Sequence, residues 1–284
     1  MLGRLIEKIQ NKNTPIKLYW WRYEEAPNGN FGDEITHYLV EKILKKKTVW
    51  SPPPECTIVG AGSVIPIVAR ERQENSPYIW GSGFIEDGSE KISFNDYKLL
   101  AVRGHKSLSR ITDMPETSSI TLGDPGLLAN ELVRTPIKKT HKLGIIAHYA
   151  NTKDPFIQQL SDRDDVLVID PLDKCLNVLR NIASCESVIS SSLHGLIVAD
   201  SFAIPNSHVI LEGHLKGGLY KFNDYYSVFG KERYSSVNRE DLQLSTDTLV
   251  DIVRSQYVPA AEEVTDIQRR LKAALVSVAS NLIH

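Results

Sequence analysis

The chain is poor in cysteine and has no recognisable metal-binding motif. Its 284 residues include 3 cysteines, Cys56, Cys175 and Cys185, with no C-x-x-C pair. A disulfide framework or a cysteine-based zinc site is therefore not expected, and we expect buried free thiols in a reducing cytosol. The 8 histidines form no H-x-x-x-H or H-E-x-x-H pattern, so no metal site is predicted.

The sequence also lacks a strong charge of either sign and lacks long apolar runs. Its formal net charge is −2, which does not favour a nucleic-acid binder. No stretch approaches the roughly 18 apolar residues that a membrane-spanning helix needs. Residues 1–13 contain no continuous apolar run of the kind found in signal peptides. These absences predict a cytoplasmic protein.

The first residues of the chain leave two interpretations open. Leu2, Leu5, Ile6 and Ile9 fall on one face of a helix, with basic residues around it. A short helix packed on its own domain is the favoured interpretation. The alternative is an interfacial helix that attaches the protein peripherally to the inner face of the membrane.

Short apolar segments alternate with helical patterns along the chain, which favours an α/β fold of parallel sheets covered by helices. Strands are predicted at residues 17–21, 56–60, 78–81, 98–102, 142–147, 166–169, 187–190 and 207–211. Helices are predicted at residues 33–44, 105–111, 155–160, 172–184, 195–203 and 262–283. A polar, basic segment at residues 133–142 resembles a linker. We therefore expect two Rossmann-like domains, residues 1–135 and 143–284, whose sheets face each other across a cleft, and a long C-terminal helix.

Ligands of open parallel sheets bind at the carboxyl ends of the strands, so residues that follow a strand are site candidates. The sequence S-S-S-L-H-G at residues 190–195 offers hydroxyl groups, a histidine and a helix N-terminus at one point. Capping serines with an exposed histidine are the structural alternative. Because His194 stands between the cap and a glycine, we favour a functional role.

Other strand ends supply further candidates. Asn30 and Asp33 either bind sugar hydroxyls or cap the following helix, and both interpretations stay open. Arg103 ends an apolar strand and is predicted to clamp an anion, with a structural ion pair as the competitor. His148 is expected to face the same cleft as His194. Lys221 lies in a glycine-led aromatic segment that is either a packed surface loop or a mobile loop over the cleft.

Seven segments together resemble the polysaccharide pyruvyl transferase family, in particular its bacterial succinoglycan-type branch. They are NFGDEITHYLV, WGSGF, AVRG, LGDPGLL, LGIIAHY, ISSSLHGLIVADSFAIPN and YKFNDYYSVFG. The resemblance implies the two-Rossmann-domain, GT-B-like fold of many glycosyltransferases. It also implies transfer of pyruvate from phosphoenolpyruvate to two hydroxyls of a sugar, which forms a cyclic ketal and needs no further cofactor.

The resemblance implies roles for individual residues. His194 matches a catalytic position, and Arg103 a position that binds phosphoenolpyruvate. From their places at strand ends and in the glycine-led segment, the donor is also expected to contact His148, Ser191, Ser192, Leu193, Gly195 and Lys221 of the second domain, in addition to Arg103 of the first. Asn30 and Asp33 are expected to bind the acceptor, a free or lipid-linked sugar, in the first domain. Some relatives carry arginine where this chain has Ser192, so we expect Lys221 to supply the missing charge.

Two other functions compete with this interpretation. A sugar-nucleotide glycosyltransferase of the same fold would bind a diphosphate at the helix that follows His194. A non-catalytic carbohydrate-binding module would need aromatic platforms, for which the tryptophans are candidates. The oligomeric state, the acceptor sugar and the pair of hydroxyls used are not determined by the sequence.

Overall fold

The structure is a computed structural model that describes most of the chain. The described residues are 14–22, 26–71, 74, 76–95, 97–114, 120–134, 136–151, 154–211, 217–230, 236–257, 259 and 261–282. The predicted amphipathic helix of residues 2–9 lies outside them. Within the described part, no helix combines the length and the apolar character needed to cross a membrane.

The first half of the chain forms a parallel sheet of six strands. They are β1 (Ile16–Tyr19), β2 (Thr48–Trp50), β3 (Ile58–Val59), β4 (Tyr78–Ser82), β6 (Lys98–Val102) and β8 (Thr121–Leu122), while β5 (Ile92–Ser93) and β7 (Ile111–Thr112) form a separate parallel pair. The order across the sheet is β2-β1-β3-β4-β6-β8. The helices are α1 (Phe31–Leu44), α2 (Ile65–Val68) and α3 (His105–Leu108), with 3-10 turns at Pro53–Glu55 and Pro125–Leu132.

The second half forms a parallel sheet of five strands. They are β9 (His141–Ile146), β10 (Val166–Ile169), β11 (Cys185–Ser190), β12 (Asn206–Val209) and β13 (Ser236–Val237), in the order β10-β9-β11-β12-β13. The helices are α4 (Pro155–Leu160), α5 (Cys175–Ala183), α6 (Leu193–Ser201), α7 (Tyr220–Tyr226), α8 (Thr246–Gln256) and α9 (Ala261–Ser277). Short 3-10 turns lie at Tyr149–Asn151, Ser227–Phe229, Arg239–Gln243 and Ala279–Leu282.

The predicted α/β class with parallel sheets is confirmed. All eight predicted strands are present, and their ends differ from the prediction by no more than two residues. Five strands were not predicted, because each is only two or three residues long and shows no readable period. A pattern of hydrophobic side chains identifies an element only when the element is long enough to repeat it.

Three predictions about helices were wrong in detail. Helix α1 begins at Phe31 rather than Asp33, since Asn30 is its N-cap and accepts a hydrogen bond from the Gly32 amide. The predicted helix 105–111 ends at Leu108, and Ile111 belongs to β7. The predicted loop around Lys221 is instead helix α7, which buries Phe222, Tyr225 and Tyr226 on one side. Helix α8 was not predicted.

The C-terminal helix α9 packs on the first sheet. Val264, Ile267, Leu271 and Leu275 are buried, as their spacing predicts. The Trp80 indole of β4 donates a hydrogen bond of 3.0 Å to the Leu271 carbonyl. Helix α9 therefore connects the C-terminal part of the described chain to the first sheet, and the division into domains at 135 and 143 stays a prediction.

One cluster of buried apolar side chains spans both sheets. It contains Leu18 and Trp80 from the first sheet and Ile146 and Val188 from the second. Helix α6 contributes Leu196, Ile197 and Val198 to the same cluster, and the Pro125–Leu132 turn contributes Leu127 and Leu128. The shared cluster fixes the N-terminus of α6 against residues of the first half.

Candidate active site

His194 lies where α6 meets the first half of the chain. Strand β11 ends at Ser190, and α6 begins at Leu193, so His194 is in the first helical turn. Its ring lies directly against Gly32 of α1, where an added Cβ would overlap the imidazole. The ring is almost entirely buried, with 13% of the side chain exposed. Glycine at position 32 is therefore required by the close approach of the histidine.

Asp124 faces His194 from the end of β8. One carboxylate oxygen, Oδ1, accepts a 2.8 Å hydrogen bond from the Gly126 amide. The other, Oδ2, lies 3.8 Å from Nε2 of His194. Neither of these two buried atoms has a hydrogen-bond partner among the described residues. The hydrogen-bonding capacity of both atoms is therefore unused among the described residues.

The serine-rich turn before α6 is organised by Ser190, not by the two serines that follow it. The Ser190 hydroxyl donates to the Ile146 and Ser192 carbonyls and accepts from the Ser192 amide. An added Cβ at Gly195 would overlap this hydroxyl. Ser192 is the N-cap of α6 but makes no side-chain cap hydrogen bond. The structural alternative, in which the serine side chains cap the helix in the ordinary way, is therefore not observed at Ser192.

His148 is tied to the same turn. Its amide donates a 2.7 Å hydrogen bond to the Ser191 hydroxyl, which links the end of β9 to the end of β11. Burial, followed by the charge of Lys221, lowers the pKa of His148 to about 4. Its side chain is therefore neutral near pH 7.

Arg103 is held in a buried network at the end of β6. Its Nε donates to Asp224 Oδ2 at 2.9 Å, its Nη1 donates to the Ser63 hydroxyl at 2.7 Å, and its Nη2 donates to the Phe84 carbonyl. The residue is only 1% exposed. The structural ion pair, which competed with the anion clamp, is thus present. A contact of Arg103 with the donor stays a prediction.

Asp224 completes this network and was not identified from the sequence. Its carboxylate also accepts hydrogen bonds from the amide and the hydroxyl of Ser107. Because Asp224 belongs to α7, the network fastens α7 to the first half of the chain. In the sequence, Asp224 stands out only by its position in the aromatic segment. That position indicates packing, but it does not identify Arg103 as the ion-pair partner.

Lys221 belongs to helix α7 and not to a loop. Gly217 and Gly218 have positive φ angles of 76° and 51° and form the turn before the helix. Burial lowers the pKa of Lys221 to about 8, with Arg103 lowering it further and Asp33 raising it. The ammonium group is still mostly protonated at neutral pH.

The histidines around Lys221 are kept neutral. Burial, then Lys221 and Arg103, lower the pKa of His194 to about 3. Burial and Lys221 also lower the pKa of His208, on β12, to about 3. His208 was not predicted as a site residue, and its ring packs 4.0 Å from that of Phe222. The positive charge of Lys221 thus lowers the pKa of all three histidines, His148, His194 and His208.

Two carboxyl groups have the opposite shift. Burial raises the pKa of Asp33 to about 7. The charge of Lys221 lowers this pKa, and the charges of Glu34 and Asp124 raise it. Burial also raises the pKa of Asp124 to about 6. Asp33 lies over Gly62, where an added Cβ would be 3.2 Å from Asp33 Oδ1. Both groups exchange protons near neutral pH, which suits general acid–base chemistry.

Asp33, Asp124, His194 and Lys221, which we call the ionisable cluster, therefore come from four different elements and from both halves of the chain. Of the two roles left open for Asn30 and Asp33, the structure shows capping by Asn30, and sugar binding by either residue stays a prediction. Asp124 belongs to the segment LGDPGLL, but its role as a neighbour of His194 depends on how the two sheets meet. The cluster offers one lasting positive charge and three groups able to move protons.

Comparison with known proteins identifies the family of the chain. The family model for polysaccharide pyruvyl transferases matches residues 30–210. The chain is 32% identical over 235 residues to the uncharacterized protein L143 of Acanthamoeba polyphaga mimivirus, with 76% of this chain and 78% of that protein covered. It is 26% identical over 221 residues to the succinoglycan biosynthesis protein ExoV of Rhizobium meliloti (strain 1021), with 76% of this chain and 65% of that protein covered. The matched span contains Asp33, Asp124 and His194, and the chain belongs to the polysaccharide pyruvyl transferase family.

Proposed function

We propose that this protein transfers the pyruvyl group of phosphoenolpyruvate to two hydroxyls of one sugar in a polysaccharide or its precursor, forming a cyclic ketal. The observation that carries the proposal is the ionisable cluster, in which Lys221 lies among groups that exchange protons, inside a chain of this family. The similarity to ExoV supports a role in the synthesis of an exopolysaccharide. The acceptor is free or lipid-linked, and the reaction takes place in the cytoplasm or at the inner face of the membrane.

The donor carries close to three negative charges near neutral pH, so its binding depends on positive charge in the site. Lys221 supplies a full charge because its pKa stays at about 8. The first turn of α6, at Leu193 and His194, adds unpaired amide groups and roughly half a charge. Ser191, Ser192 and Gly195 lie at the same turn and contact the phosphate or the carboxylate of the donor. Lys221 and the N-terminus of α6 thus supply positive charge that the neutral side chain of Ser192 cannot provide.

His194 protonates the methylene carbon of the donor. In the free enzyme its pKa of about 3 keeps the imidazole neutral. A bound trianion offsets the charges of Lys221 and Arg103, and therefore raises the pKa of His194 toward the working range. Protonation then depends on donor binding, which protects phosphoenolpyruvate from premature loss of phosphate.

Asp33 acts as the base for the attacking hydroxyl of the acceptor. Its pKa of about 7 places it near the working pH, where a general base is most effective. Asn30, at the same helix start, orients the sugar by hydrogen bonding. Asp124, whose Oδ2 lies 3.8 Å from His194 Nε2, stabilises the imidazole electrostatically once it is protonated.

The steps balance without an oxidant or a metal-bound reactant. The methylene carbon of phosphoenolpyruvate gains a proton and becomes a methyl group. The bond between the central carbon and the phosphate oxygen breaks, and two bonds form from that carbon to sugar oxygens. Of the two hydroxyl protons released, one replaces the proton placed on the methyl group and the other leaves with hydrogen phosphate.

Release of phosphate that depends on both phosphoenolpyruvate and an acceptor tests the proposal. With a panel of synthetic and lipid-linked glycosides, we expect equal amounts of phosphate and of a product heavier by one pyruvate minus one water.

His194→Ala should lower kcat by about 10²–10⁴-fold, while His105→Ala, which changes an exposed histidine, should not. Retention of more than a tenth of kcat by His194→Ala would exclude the assigned role. Thermal stabilisation by a nucleoside diphosphate and not by phosphoenolpyruvate would instead indicate a sugar-nucleotide glycosyltransferase.

A further inference from the structure

A groove of about 980 Å³ lies beside the ionisable cluster and contains none of the groups assigned to the reaction. Its walls come from the start of α1, from the start of α5 and from the end of the first sheet. The lining side chains that define it are Arg22, Glu34, Tyr38, Trp50, Lys174 and Arg180. A volume of this size accommodates a ligand larger than a single sugar ring.

The groove carries excess positive charge. Arg22, Lys174 and Arg180 line it, and within the described part of the chain none of them forms an ion pair with a carboxylate. The acid among its described lining residues is Glu34, whose carboxylate accepts a 2.8 Å hydrogen bond from the Trp20 indole. Burial raises the pKa of Glu34, while the hydrogen bond from Trp20 and the charge of Arg22 lower it. An anionic group is therefore the favoured occupant.

Aromatic rings hold this charge in place and supply apolar surface. The Arg22 guanidinium lies 5.0 Å from the centre of the Trp20 ring and 5.1 Å from that of Trp50. The Trp50 indole donates a 3.0 Å hydrogen bond to the Trp20 carbonyl, which fixes its orientation. Tyr38 and Trp50 are half-buried at the wall. Amphipathic rings next to hydrogen-bonding groups suit a sugar, which has apolar C–H faces and polar edges.

The groove meets the ionisable cluster at the first turn of α1. Asp33 faces Lys221 and Gly62, whereas the next residue, Glu34, lines the groove. One helical turn rises only about 5.4 Å, so a chain of sugars that passes the N-terminus of α1 reaches both places. A single ligand is thus able to fill the groove and present a sugar to Asp33.

We propose that the groove binds the non-reacting part of the acceptor and selects an oligosaccharide that carries a phosphate or a carboxylate. Arg22, Arg180 and Lys174 hold the anion, Glu34 accepts a hydrogen bond from a sugar hydroxyl, and Tyr38 contacts a ring face. The placement of the reacting sugar rests on the proposed function, but binding in the groove does not.

Equilibrium binding without phosphoenolpyruvate tests the groove independently of the reaction. The probes are one disaccharide in three forms: a 1-phosphate, a uronic-acid derivative and an uncharged methyl glycoside. We expect a charged form to bind at least 10-fold more tightly than the neutral one, and the tighter of the two charged forms identifies the anion. Arg22→Gln/Arg180→Gln should remove this preference and Arg70→Gln, an exposed arginine elsewhere, should keep it.

Steady-state kinetics provide a second measurement. In acceptor-dependent assays the double variant should raise KM for the charged acceptor about 10-fold and leave kcat and the KM for phosphoenolpyruvate unchanged. Equal binding of charged and neutral probes, or unchanged binding in the double variant, would overturn the inference. Tight, arginine-dependent binding without pyruvyl transfer from phosphoenolpyruvate would refute the proposed function and leave the groove assignment standing.

Discussion

At the scale of single residues, the site depends on one ammonium group among neutral imidazoles. Lys221 lowers the pKa values of His148, His194 and His208, and all three histidines are also shifted by burial. Its own pKa of about 8 leaves it charged at neutral pH. The positive charge of Lys221 is therefore available to bind the anionic donor. The three imidazoles stay unprotonated until an anion binds.

Lys221→Met tests this assignment. The variant should lower kcat/KM for phosphoenolpyruvate by about 10-fold or more, equal to at least ~1.4 kcal/mol. Removal of a positive charge should also raise the pKa of His148, which a histidine titration by NMR measures. A further Ser192→Arg change should restore part of the donor use. If neither the kinetics nor the His148 titration changes, Lys221 does not act on the site.

At the scale of secondary-structure elements, the start of α1 determines where the His194 ring of α6 can lie. The two helices approach so closely that position 32 has no room for a Cβ. The position of the His194 ring, and with it the reaction, is therefore sensitive to a methyl group added to α1, although His194 itself belongs to α6.

Gly32→Ala should displace the imidazole and lower kcat by about 10²-fold or more, approaching the loss expected for His194→Ala. Alanine favours the helix by up to about 1 kcal/mol relative to glycine, so α1 should still form. Gly88→Ala is the matched control, because its Cβ would be 3.1 Å from the flexible end of Arg110. Thermal unfolding monitors the fold of both variants, and wild-type kcat in folded Gly32→Ala would contradict the close packing.

A second contact between elements makes stability depend on pH. Asp200 of α6 accepts hydrogen bonds from the Tyr225 hydroxyl at 2.7 Å and the Asn206 amide at 2.6 Å. Burial raises the pKa of Asp200 to about 7. The folded protein therefore holds a proton that the unfolded chain releases above about pH 4.

The stability that Asp200 contributes should be complete below about pH 4 and lost as the pH rises through 7. Relative to Asp200→Asn, the free energy of unfolding of the wild type should fall by up to about 1.4 kcal/mol per pH unit in this range. Urea denaturation at a series of pH values measures the difference. A difference that is constant, or that grows with pH, would show that Asp200 is ionised in the folded protein.

At the scale of the whole molecule, the two halves are joined by charge as well as by the shared apolar cluster. The Arg103–Asp224 pair connects β6 of the first sheet to α7, which follows β12 of the second, and both side chains are almost completely buried. Buried pairs are costly to break because the remaining partner is left without compensation. The same pair holds the helix that carries Lys221.

Asp224→Asn should therefore destabilise the protein by about 3–5 kcal/mol, measured by chemical denaturation. Arg103→Met combined with Asp224→Asn should recover part of this loss, since neither charge is then left alone. Arg103→Lys separates the two roles of the arginine. A loss of stability with unchanged KM for phosphoenolpyruvate would assign Arg103 to structure, and a raised KM at unchanged stability would restore the predicted donor contact.

The sequence by itself determined the α/β class and most of the strands, because alternation and apolar runs are local properties of the chain. It also indicated His194, Asp33 and Lys221 as candidates, since strand ends and the family segments can be recognised from neighbouring residues. It could not identify Asp124 as the neighbour of His194, because 70 residues separate them and only the packing of α6 against the Pro125–Leu132 turn brings them together.

Only the tertiary structure decided the environment of each charge. Asn30 and Asp33 are three residues apart, yet one caps α1 and the other faces Lys221, which no local pattern distinguishes. Lys221 was predicted on a moving loop because glycines precede it, but the aromatic residues around it bury one side of a helix. Burial is a sum over contacts from distant parts of the chain, and it is burial that shifts the pKa values of Asp33, His194 and Lys221.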